Sequence, residues 1–238
     1  MSILMNKFMN ISLKLGQLLP AQPCLLCGTY TRRDGWCPSC DASLPYLAHA
    51  CCPVCTLPTP DGSICGRCLQ HPPHFDRTVA VFAYAFPVDK LVHALKYGEQ
   101  LALADALSGQ LVQRIEQPPD RILAMPLHHV RLRERGFNQS LELARGICRQ
   151  LKVPLLTNSA RRIRNTTQQS ALPWKQRKRN MRNAFACDDD LSGLHIGIVD
   201  DVMTSGTTLD ELARTLRQAG AREISALVVA RTLPHTTH

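Results

Sequence analysis

Eight of the eleven cysteines form four CxxC pairs, a spacing typical of thiolate ligands to a metal ion. They fall into two sets related by a shift of 28 residues: Cys24, Cys27, Cys37 and Cys40, then Cys52, Cys55, Cys65 and Cys68. Two CxxC pairs provide four thiolates and leave a tetrahedral ion no open position, which is the structural kind of zinc site. The repeat therefore predicts two structural Zn2+ sites. The spacing favours sequential sites, but it leaves open an interleaved arrangement in which the first and third pairs share an ion.

Disulfide or redox chemistry at these cysteines fits the chain less well. Asparagine and lysine residues interrupt the first twenty positions, so no secretory leader is predicted, and no apolar stretch of about 18 residues predicts a membrane span. We therefore expect a cytoplasmic protein, in which clustered cysteines bind metal more often than they form disulfides. Cys51, Cys148 and Cys187 are expected to be ordinary buried thiols, although Cys51 could compete with Cys52 for the metal.

A second group of residues suited to chemistry follows an apolar stretch near the carboxyl terminus. In Ile196–Thr208 (IGIVDDVMTSGTT) a predicted strand ends in Asp200 and Asp201, and a hydroxyl-rich loop leads into a helix. Such a loop presents backbone N–H groups and the positive end of a helix dipole to an anion, and two carboxylates suit ribose hydroxyls or hydrated Mg2+. The loop residues are Thr204, Ser205, Gly206, Thr207 and Thr208. The alternative is a pair of surface acids before a helix capped by Ser205.

This run resembles the 5-phosphoribosyl 1-diphosphate signature of type I phosphoribosyltransferases. The segments Met125–Ser140 and Arg161–Phe185 extend the resemblance to the ComF family, competence-protein relatives that join a four-cysteine zinc module to a phosphoribosyltransferase-like domain. The string RGFNQ at Arg135–Gln139 is its most distinctive part. The family's process labels are competence, DNA utilisation and gluconate uptake, and they do not agree on one biochemical activity.

The resemblance implies roles for the candidate residues. Asp200 and Asp201 would be the catalytic acids, which bind the ribose hydroxyls and orient Mg2+, and the loop 204–208 would hold the 5-phosphate. Three arginines in the loop after the strand Ile122–Leu127 would face the diphosphate: Arg131, Arg133 and Arg135. In 6-oxopurine salvage enzymes the position of Thr204 is usually an acid that serves as general base, so the resemblance does not extend to purine salvage.

The basic residues are concentrated in one part of the chain. The chain has 28 Lys and Arg against 19 Asp and Glu, and residues 120–187 alone hold fifteen basic and three acidic side chains. No acid occurs between Arg161 and Arg182. This segment fits three roles: a hood that closes over the diphosphate, a surface for a nucleic-acid backbone, or a solvated basic face. Trp174 beside Lys175 would allow stacking on a base.

Alternating strand and helix patterns must position these groups. The predicted strands are Thr78–Phe86, Ile122–Leu127, Val153–Leu156, Leu194–Val202 and Ile224–Ala230. The predicted helices are Val88–Lys96, Leu101–Ile115, Asn138–Leu151 and Thr207–Ala219, with Asn138 as an N-cap and Gly220 ending the last one. This order predicts an α/β fold with a parallel sheet, of the type I phosphoribosyltransferase-like kind, preceded by a small four-cysteine zinc-ribbon module.

Composition divides the chain into three predicted parts. An amphipathic helix occupies 1–23, a double zinc ribbon 24–75, and the phosphoribosyltransferase-like domain 76–238.

The motifs and the resemblance lead to two functional hypotheses. The first is binding of phosphoribosyl diphosphate with Mg2+, with phosphoribosyl transfer to an unknown acceptor. The second is a non-catalytic nucleic-acid-binding accessory of DNA uptake, whose partners would be single-stranded DNA and other DNA-uptake proteins.

Overall fold

The computed structural model describes residues 21–32, 35–48, 50–97, 101–164 and 181–234. The predicted amino-terminal helix and the centre of the basic segment lie outside the described residues. The chain packs as two compact units, residues 1–44 and 45–238. The second cysteine set belongs to the larger unit, where Cys52, Cys55 and Cys68 join the hydrophobic core of the sheet. The domain boundary at residue 75 therefore stays a prediction, drawn from composition alone.

The first unit contains a minimal ribbon. β1 (Gln22–Pro23) pairs antiparallel with β2 (Tyr30–Thr31), and the short helix α1 (Pro38–Ala42) follows. Among the described residues of this unit, Trp36 and Leu44 are the buried apolar side chains other than cysteines. So small a core cannot offset the conformational entropy of folding, which is consistent with a fold that depends on a bound metal ion.

The second unit is built on a five-stranded parallel sheet, which confirms the predicted fold class. In spatial order its strands are β3 (Arg77–Ala83), β9 (Glu223–Arg231), β8 (His195–Met203), β4 (Arg121–Ala124) and β5 (Leu155–Leu156). The first five residues of β8 are all buried, because this central strand is covered on both faces. A separate antiparallel pair joins β6 (Ala160–Arg162) to β7 (Phe185–Cys187).

Helices connect the strands of the second unit. They are α2 (Gly66–Gln70), α3 (Val88–Tyr97), α4 (Leu101–Val112), α5 (His129–Arg135), α6 (Gln139–Leu151) and α7 (Thr207–Gln218). The four predicted helices are present, whereas α5 and the β6–β7 pair were not predicted. The charged stretch of α5 has no apolar periodicity, and Gly136 ends the helix in the left-handed region at φ 81°. None of the described helices is long and apolar enough to cross a bilayer.

The edge strand β3 is covered by the segment that precedes it. Leu47 donates its backbone N–H to Val81 at 2.9 Å, and Ala83 donates to the carbonyl of Pro45 at 2.8 Å. Further along, the N–H of Thr78 bonds to a carbonyl of the second cysteine segment at 3.1 Å. These bonds satisfy backbone groups that an open sheet edge would otherwise expose.

Helices α4 and α6 approach closely at a glycine. A Cβ atom on Gly146 would lie 2.8 Å from the Cβ of Ser108, which is fully buried, so neither side can yield easily. We expect Gly146→Ala to lower the free energy of unfolding by about 1–3 kcal/mol through overpacking. Gly109→Ala is the matched control, because its Cβ would meet Gln150 at an ordinary 3.9 Å. It should stabilise the helix by about 0.5–1 kcal/mol. Equal urea midpoints for the two variants would contradict this packing.

Candidate functional site

The eight predicted metal ligands form two sequential clusters. Within each set all four sulfur atoms lie within 4.8 Å of one another. The Cys27 and Cys37 sulfurs are 3.7 Å apart, and those of Cys55 and Cys65 are 3.6 Å apart. Zinc–sulfur bonds of about 2.3 Å in a tetrahedron place the sulfurs about 3.8 Å apart. Both clusters therefore fit Zn2+, and the interleaved arrangement is wrong.

The two clusters repeat one another in backbone detail. Gly28 donates its N–H to the carbonyl of Cys24 at 2.9 Å, and Thr56 donates to Cys52 at 2.8 Å. Burial raises the pKa of the Cys24 and Cys52 thiols, but N–H groups at equivalent positions outweigh it and lower the values to about 6 and about 7. Thiolates surrounded by such donors are suited to a metal ion.

We expect the purified protein to contain close to two zinc ions per chain by elemental analysis, one for each cluster. Cys24→Ser should impair folding of the first unit, because a closed four-cysteine site stabilises the fold and leaves the ion no open coordination position for catalysis. A ratio of one zinc per chain would contradict the second site. Zinc-free protein with normally titrating thiols would contradict both.

The strand order creates a crevice at the carboxyl edge of the sheet. β4 and β8 are neighbours, yet the chain continues from β4 to β5 on one side and from β8 to β9 on the other. The loops that follow β4 and β8 diverge at this topological switch point, which is where open α/β sheets bind ligands. The acidic pair and its loop lie at the end of β8, and the arginine segment follows β4. Both groups were predicted from sequence.

Asp200 and Asp201 lie at the end of β8, and they are not the surface acids of the alternative hypothesis. Asp201 is only 4% exposed. The Asp200 carboxylate accepts hydrogen bonds from the Ser140 hydroxyl and from the Asp201 N–H, both at 2.9 Å. Burial and the negative charge of Asp201 raise the pKa of Asp200 to about 7. Asp200 is therefore the carboxyl group here whose charge changes near neutral pH.

Lys96 supplies a counter-charge that sequence analysis missed. Its Nζ lies 3.0 Å from the Oδ2 atom of Asp201. Burial lowers the pKa of Lys96, but the charges of Asp201 and Asp200 outweigh that effect and raise it. Lys96 lies in the last turn of α3, more than a hundred residues before the acids, so no local spacing could have connected them.

The RGFNQS string positions α6 against the acidic pair. The Asn138 side chain accepts the N–H of Ser140 at 3.0 Å, which confirms the predicted N-cap. Gln139 donates to Oδ2 of Asp201 at 3.2 Å and accepts from Arg135 at 2.6 Å. A chain of hydrogen bonds thus leads from the arginine helix to the acids. The string had been singled out by sequence, but contacts of Gln139 and Ser140 with the acids had not been predicted.

The loop after β8 is held by its carbonyl oxygens. Arg231 donates to the carbonyls of Met203, at 2.9 Å, and Thr204, and Arg67 donates to that of Ser205 at 2.9 Å. In a planar trans peptide the next N–H points away from the carbonyl. The three N–H groups that follow these carbonyls therefore point away from the arginines, and they find no acceptor among the described residues. Three consecutive free N–H groups are suited to an anion.

The helix start completes the loop. Gly206, not Ser205, is the N-cap of α7, and it adopts φ 79°. A Cβ atom there would lie 2.7 Å from the methyl carbon of Met203, which can shift, so it is the backbone conformation that favours glycine. The hydroxyl groups of Ser205 and Thr207 lie 2.9 Å apart, and Thr208 is half-buried in the first turn. The loop is a compact turn that carries its hydroxyls beside the helix N-terminus.

The three predicted diphosphate arginines do not share one face. They lie on α5 instead of a loop, so Arg131 and Arg135, four residues apart, are on one side and Arg133 is on another. Arg162 was not among the predicted site residues. Burial lowers its pKa, and the Asp200 carboxylate offsets part of that effect, which places this guanidinium in the electrostatic range of the acids.

The sequence matches two family models and several known proteins. A family model described as a double zinc ribbon domain matches residues 15–69, and one described as a phosphoribosyl transferase domain matches residues 138–236. DNA utilization protein YhgH of Salmonella typhimurium is 40% identical, over 76% of this chain and 84% of that protein. Competence protein F of Haemophilus influenzae is 29% identical, over 87% of this chain and 96% of that protein.

A solved structure is also similar in part. It is the glutamine phosphoribosylpyrophosphate amidotransferase from B. subtilis, complexed with ADP and GMP. The match has a TM-score of 0.38 and 20% identity, and it covers 52% of this chain. The chain spans 25% of the length of that protein.

Proposed function

Because the chain belongs to the ComF family of competence and DNA-utilisation proteins, we propose that its crevice binds 5-phosphoribosyl 1-diphosphate together with Mg2+. This binding would contribute to the uptake or utilisation of DNA. The names of the relatives support the process, and the matched phosphoribosyltransferase domain supports the ligand. The observation that carries the proposal is the loop at 204–206. Its three free N–H groups lie within a few residues of the half-buried Asp200 and the buried Asp201, at the switch point of the sheet.

Each part of the ligand has chemically matching groups in the crevice. The 5-phosphate would accept hydrogen bonds from the free N–H groups and hydroxyls of the loop 204–208. The ribose hydroxyls would donate to Asp200 and Asp201, since ionised carboxylates only accept. Arg131 and Arg135 on the shared face of α5 would lie towards the diphosphate, and Arg133 would contribute through charge.

The donor set at the acids also fits Mg2+. Two carboxylates beside substrate phosphates are the usual protein contribution to a magnesium site, because Mg2+ is a hard cation that prefers oxygen ligands. When bound, the ion would neutralise charge on the diphosphate. Lys96 now balances the charge of Asp201, so it would become free to move towards the diphosphate when the ligand occupies the acids.

A transfer reaction would be balanced without a further reagent. The acceptor would form a bond to C1 of the ribose as the C1–O bond breaks, and diphosphate would leave with the electron pair. The acceptor's proton would pass to solvent, because Thr204 stands where purine-salvage enzymes carry an acid. Positioning and neutralisation of the leaving group would supply most of the acceleration.

The test is calorimetric titration with phosphoribosyl diphosphate, with and without Mg2+, at several pH values. Binding requires ionised Asp200, so the affinity should rise up to tenfold per pH unit as the pH approaches about 7, and level off above it. The unliganded fold should show the opposite trend. A pKa raised from 3.8 to about 7 means that the folded state holds the proton more tightly, so stability falls as pH rises through this window. Absence of Mg2+-assisted binding at any pH would refute the proposal.

The second candidate is the nucleic-acid-binding accessory. Arg161, Arg162, Arg164 and Arg182 lie on or beside the β6–β7 pair, and the sequence between them contains no acid, although Asp188 after β7 pairs with Arg161. The same titration continued with single-stranded DNA distinguishes the two functions. Tight, strongly salt-dependent DNA binding without binding of phosphoribosyl diphosphate would favour the accessory.

A further inference from the structure

The second cysteine cluster is attached to the anion loop through Arg231. This side chain is 2% exposed, and it is among the largest fully buried side chains of the described residues. Its Nε donates to the carbonyl of Cys55 at 2.9 Å. Its Nη1 donates to the carbonyls of Met203 and Thr204, where the loop leaves β8. One guanidinium therefore bridges a zinc knuckle and the loop.

A second arginine, which belongs to the ribbon itself, holds the next peptide of the loop. Arg67 lies between the ligands Cys65 and Cys68 on α2, and it donates to the carbonyl of Ser205 at 2.9 Å. Three consecutive loop carbonyls are thus bound from the side of the second cluster. These are the same bonds that turn the following N–H groups away, towards the place where an anion would bind.

The ribbon also contacts the helix that follows the loop. The backbone N–H and the ring Nδ1 of His74 lie 2.7 and 2.8 Å from Oδ1 of Asp210, in the first turn of α7. Phe75 is buried beside the N-cap, 3.9 Å from where a Cβ of Gly206 would be. The contacts between the ribbon and the loop therefore extend over both ends of the loop.

When the second cluster holds Zn2+, it places a negatively charged centre beside the two arginines that bind the loop. Zn2+ with four thiolates would carry two net negative charges, and the buried Arg231 and the exposed Arg67 both lie beside this cluster. Loss of the ion would release the four cysteines that shape the knuckle, so the Cys55 carbonyl that accepts from Arg231 would lose its fixed position.

We propose that metal in the second cluster, but not in the first, fixes the conformation of the anion loop, with Arg231 as the positioning residue. The first cluster lies in the other compact unit, residues 1–44, and all the links described above come from the second. The two clusters therefore share a ligand set but differ in role. The consequence for ligand affinity rests on the proposed function, whereas the consequence for loop conformation does not.

Thermodynamic linkage between metal binding and ligand binding provides the first test. If metal strengthens ligand binding, ligand must strengthen metal binding by the same factor. Zinc transfer to a colorimetric chelator should show two phases, which Cys37→Ser and Cys65→Ser assign, since these positions are equivalent in the repeat. Saturating phosphoribosyl diphosphate with Mg2+ should raise the zinc affinity of the second cluster about tenfold, observed as slower transfer of its zinc to the chelator, and leave the first cluster unchanged. Equal slowing of both phases, or none while calorimetry shows binding, would overturn the proposal.

Amide hydrogen exchange tests the loop without any ligand. The N–H of Thr232 donates to the carbonyl of Met203 at 3.0 Å, and that of Asp210 donates to Gly206 at 2.8 Å. In Cys65→Ser both amides should exchange about tenfold faster, whereas the amide of Asp120, bonded to His195 at the other end of β8, should not change. Cys37→Ser should leave all three unchanged. Uniform acceleration would mean global unfolding and would contradict a local effect on the loop.

Arg231→Met examines the positioning residue itself, with Arg217→Met as the control. Arg217 also donates to several carbonyls, including His74 at 3.2 Å and Ala221 at 3.2 Å, but none of them is in the loop. Both variants should melt at lower temperature. Only Arg231→Met should abolish the ligand-dependent slowing of zinc release, and Arg231→Lys should restore part of it. Loss of the slowing in both variants, or in neither, would refute the role assigned to Arg231.

Discussion

Replacing Asp200 and Asp201 together by asparagine should weaken Mg2+-assisted binding of phosphoribosyl diphosphate by roughly two to four powers of ten. A hydrogen bond to a charged group contributes about 1.5–3 kcal/mol, and each 1.4 kcal/mol changes a dissociation constant about tenfold. Asparagine keeps the shape of each side chain but removes the negative charge that ribose hydroxyls and the cation would contact. The ligand-induced rise in melting temperature should disappear with the affinity.

The matched control is Asp120→Asn. Oδ2 of Asp120 accepts the N–H of His195 at 2.8 Å, so this acid contacts the same strand β8 at its amino end. Its replacement should leave affinity unchanged, because ligands bind at the carboxyl edge. If the double variant kept the rise in melting temperature, the ligand would bind away from this loop. If the wild-type protein showed no rise, the phosphoribosyl proposal itself would fail.

The stability of the unliganded double variant depends on Lys96. From sequence alone, removal of two adjacent like charges should cost the fold nothing electrostatic. The structure reverses that expectation, because Asp201 is paired with Lys96 at 3.0 Å and its loss leaves a mostly buried ammonium without a counter-charge. We therefore expect the unliganded double variant to melt below the wild-type protein, and ligand effects must be read against its own melting temperature.

The elements that sequence predicted well are those whose pattern is local. The strand at Leu194–Val202 and the helix at Thr207–Ala219 lie within one residue of β8 and α7, because an unbroken apolar run and an amphipathic period leave little choice. The cysteine repeat is local as well, and its fixed spacing predicted both clusters. The α5 helix was missed, because a short charged stretch held by an N-cap and a terminal glycine has no such period.

The parts that sequence could not supply depend on distant contacts. Lys96 and Arg231 reach the acids and the loop from other elements, and each is a single basic residue in an otherwise ordinary pattern. Arg231 did offer one signal, since it is a lone charge at the end of an apolar strand that is buried along its length. The attachment of the second cluster to the loop was also beyond reach, because composition changes at residue 75 while packing does not.

The buried ion pair itself should show a large coupling energy in a double-mutant cycle. Lys96→Met alone and Asp201→Asn alone should each lower the free energy of unfolding by about 3 kcal/mol. This is the low end for a buried pair, since 24% of the Lys96 side chain is exposed. The double variant should recover to within about 1 kcal/mol of wild type, because neither charge is then left alone.

Urea unfolding of the four proteins measures this coupling, and an exposed pair provides the control. Arg161 and Asp188 are 61% and 63% exposed, so their cycle should yield only about 0.2–1 kcal/mol. A coupling between Lys96 and Asp201 no larger than that value would mean that Lys96 does not balance the acid. The recovered double variant also separates fold from function. It should be stable and yet bind phosphoribosyl diphosphate poorly, because the carboxylate that holds the lysine in the empty crevice is the one that the ligand needs.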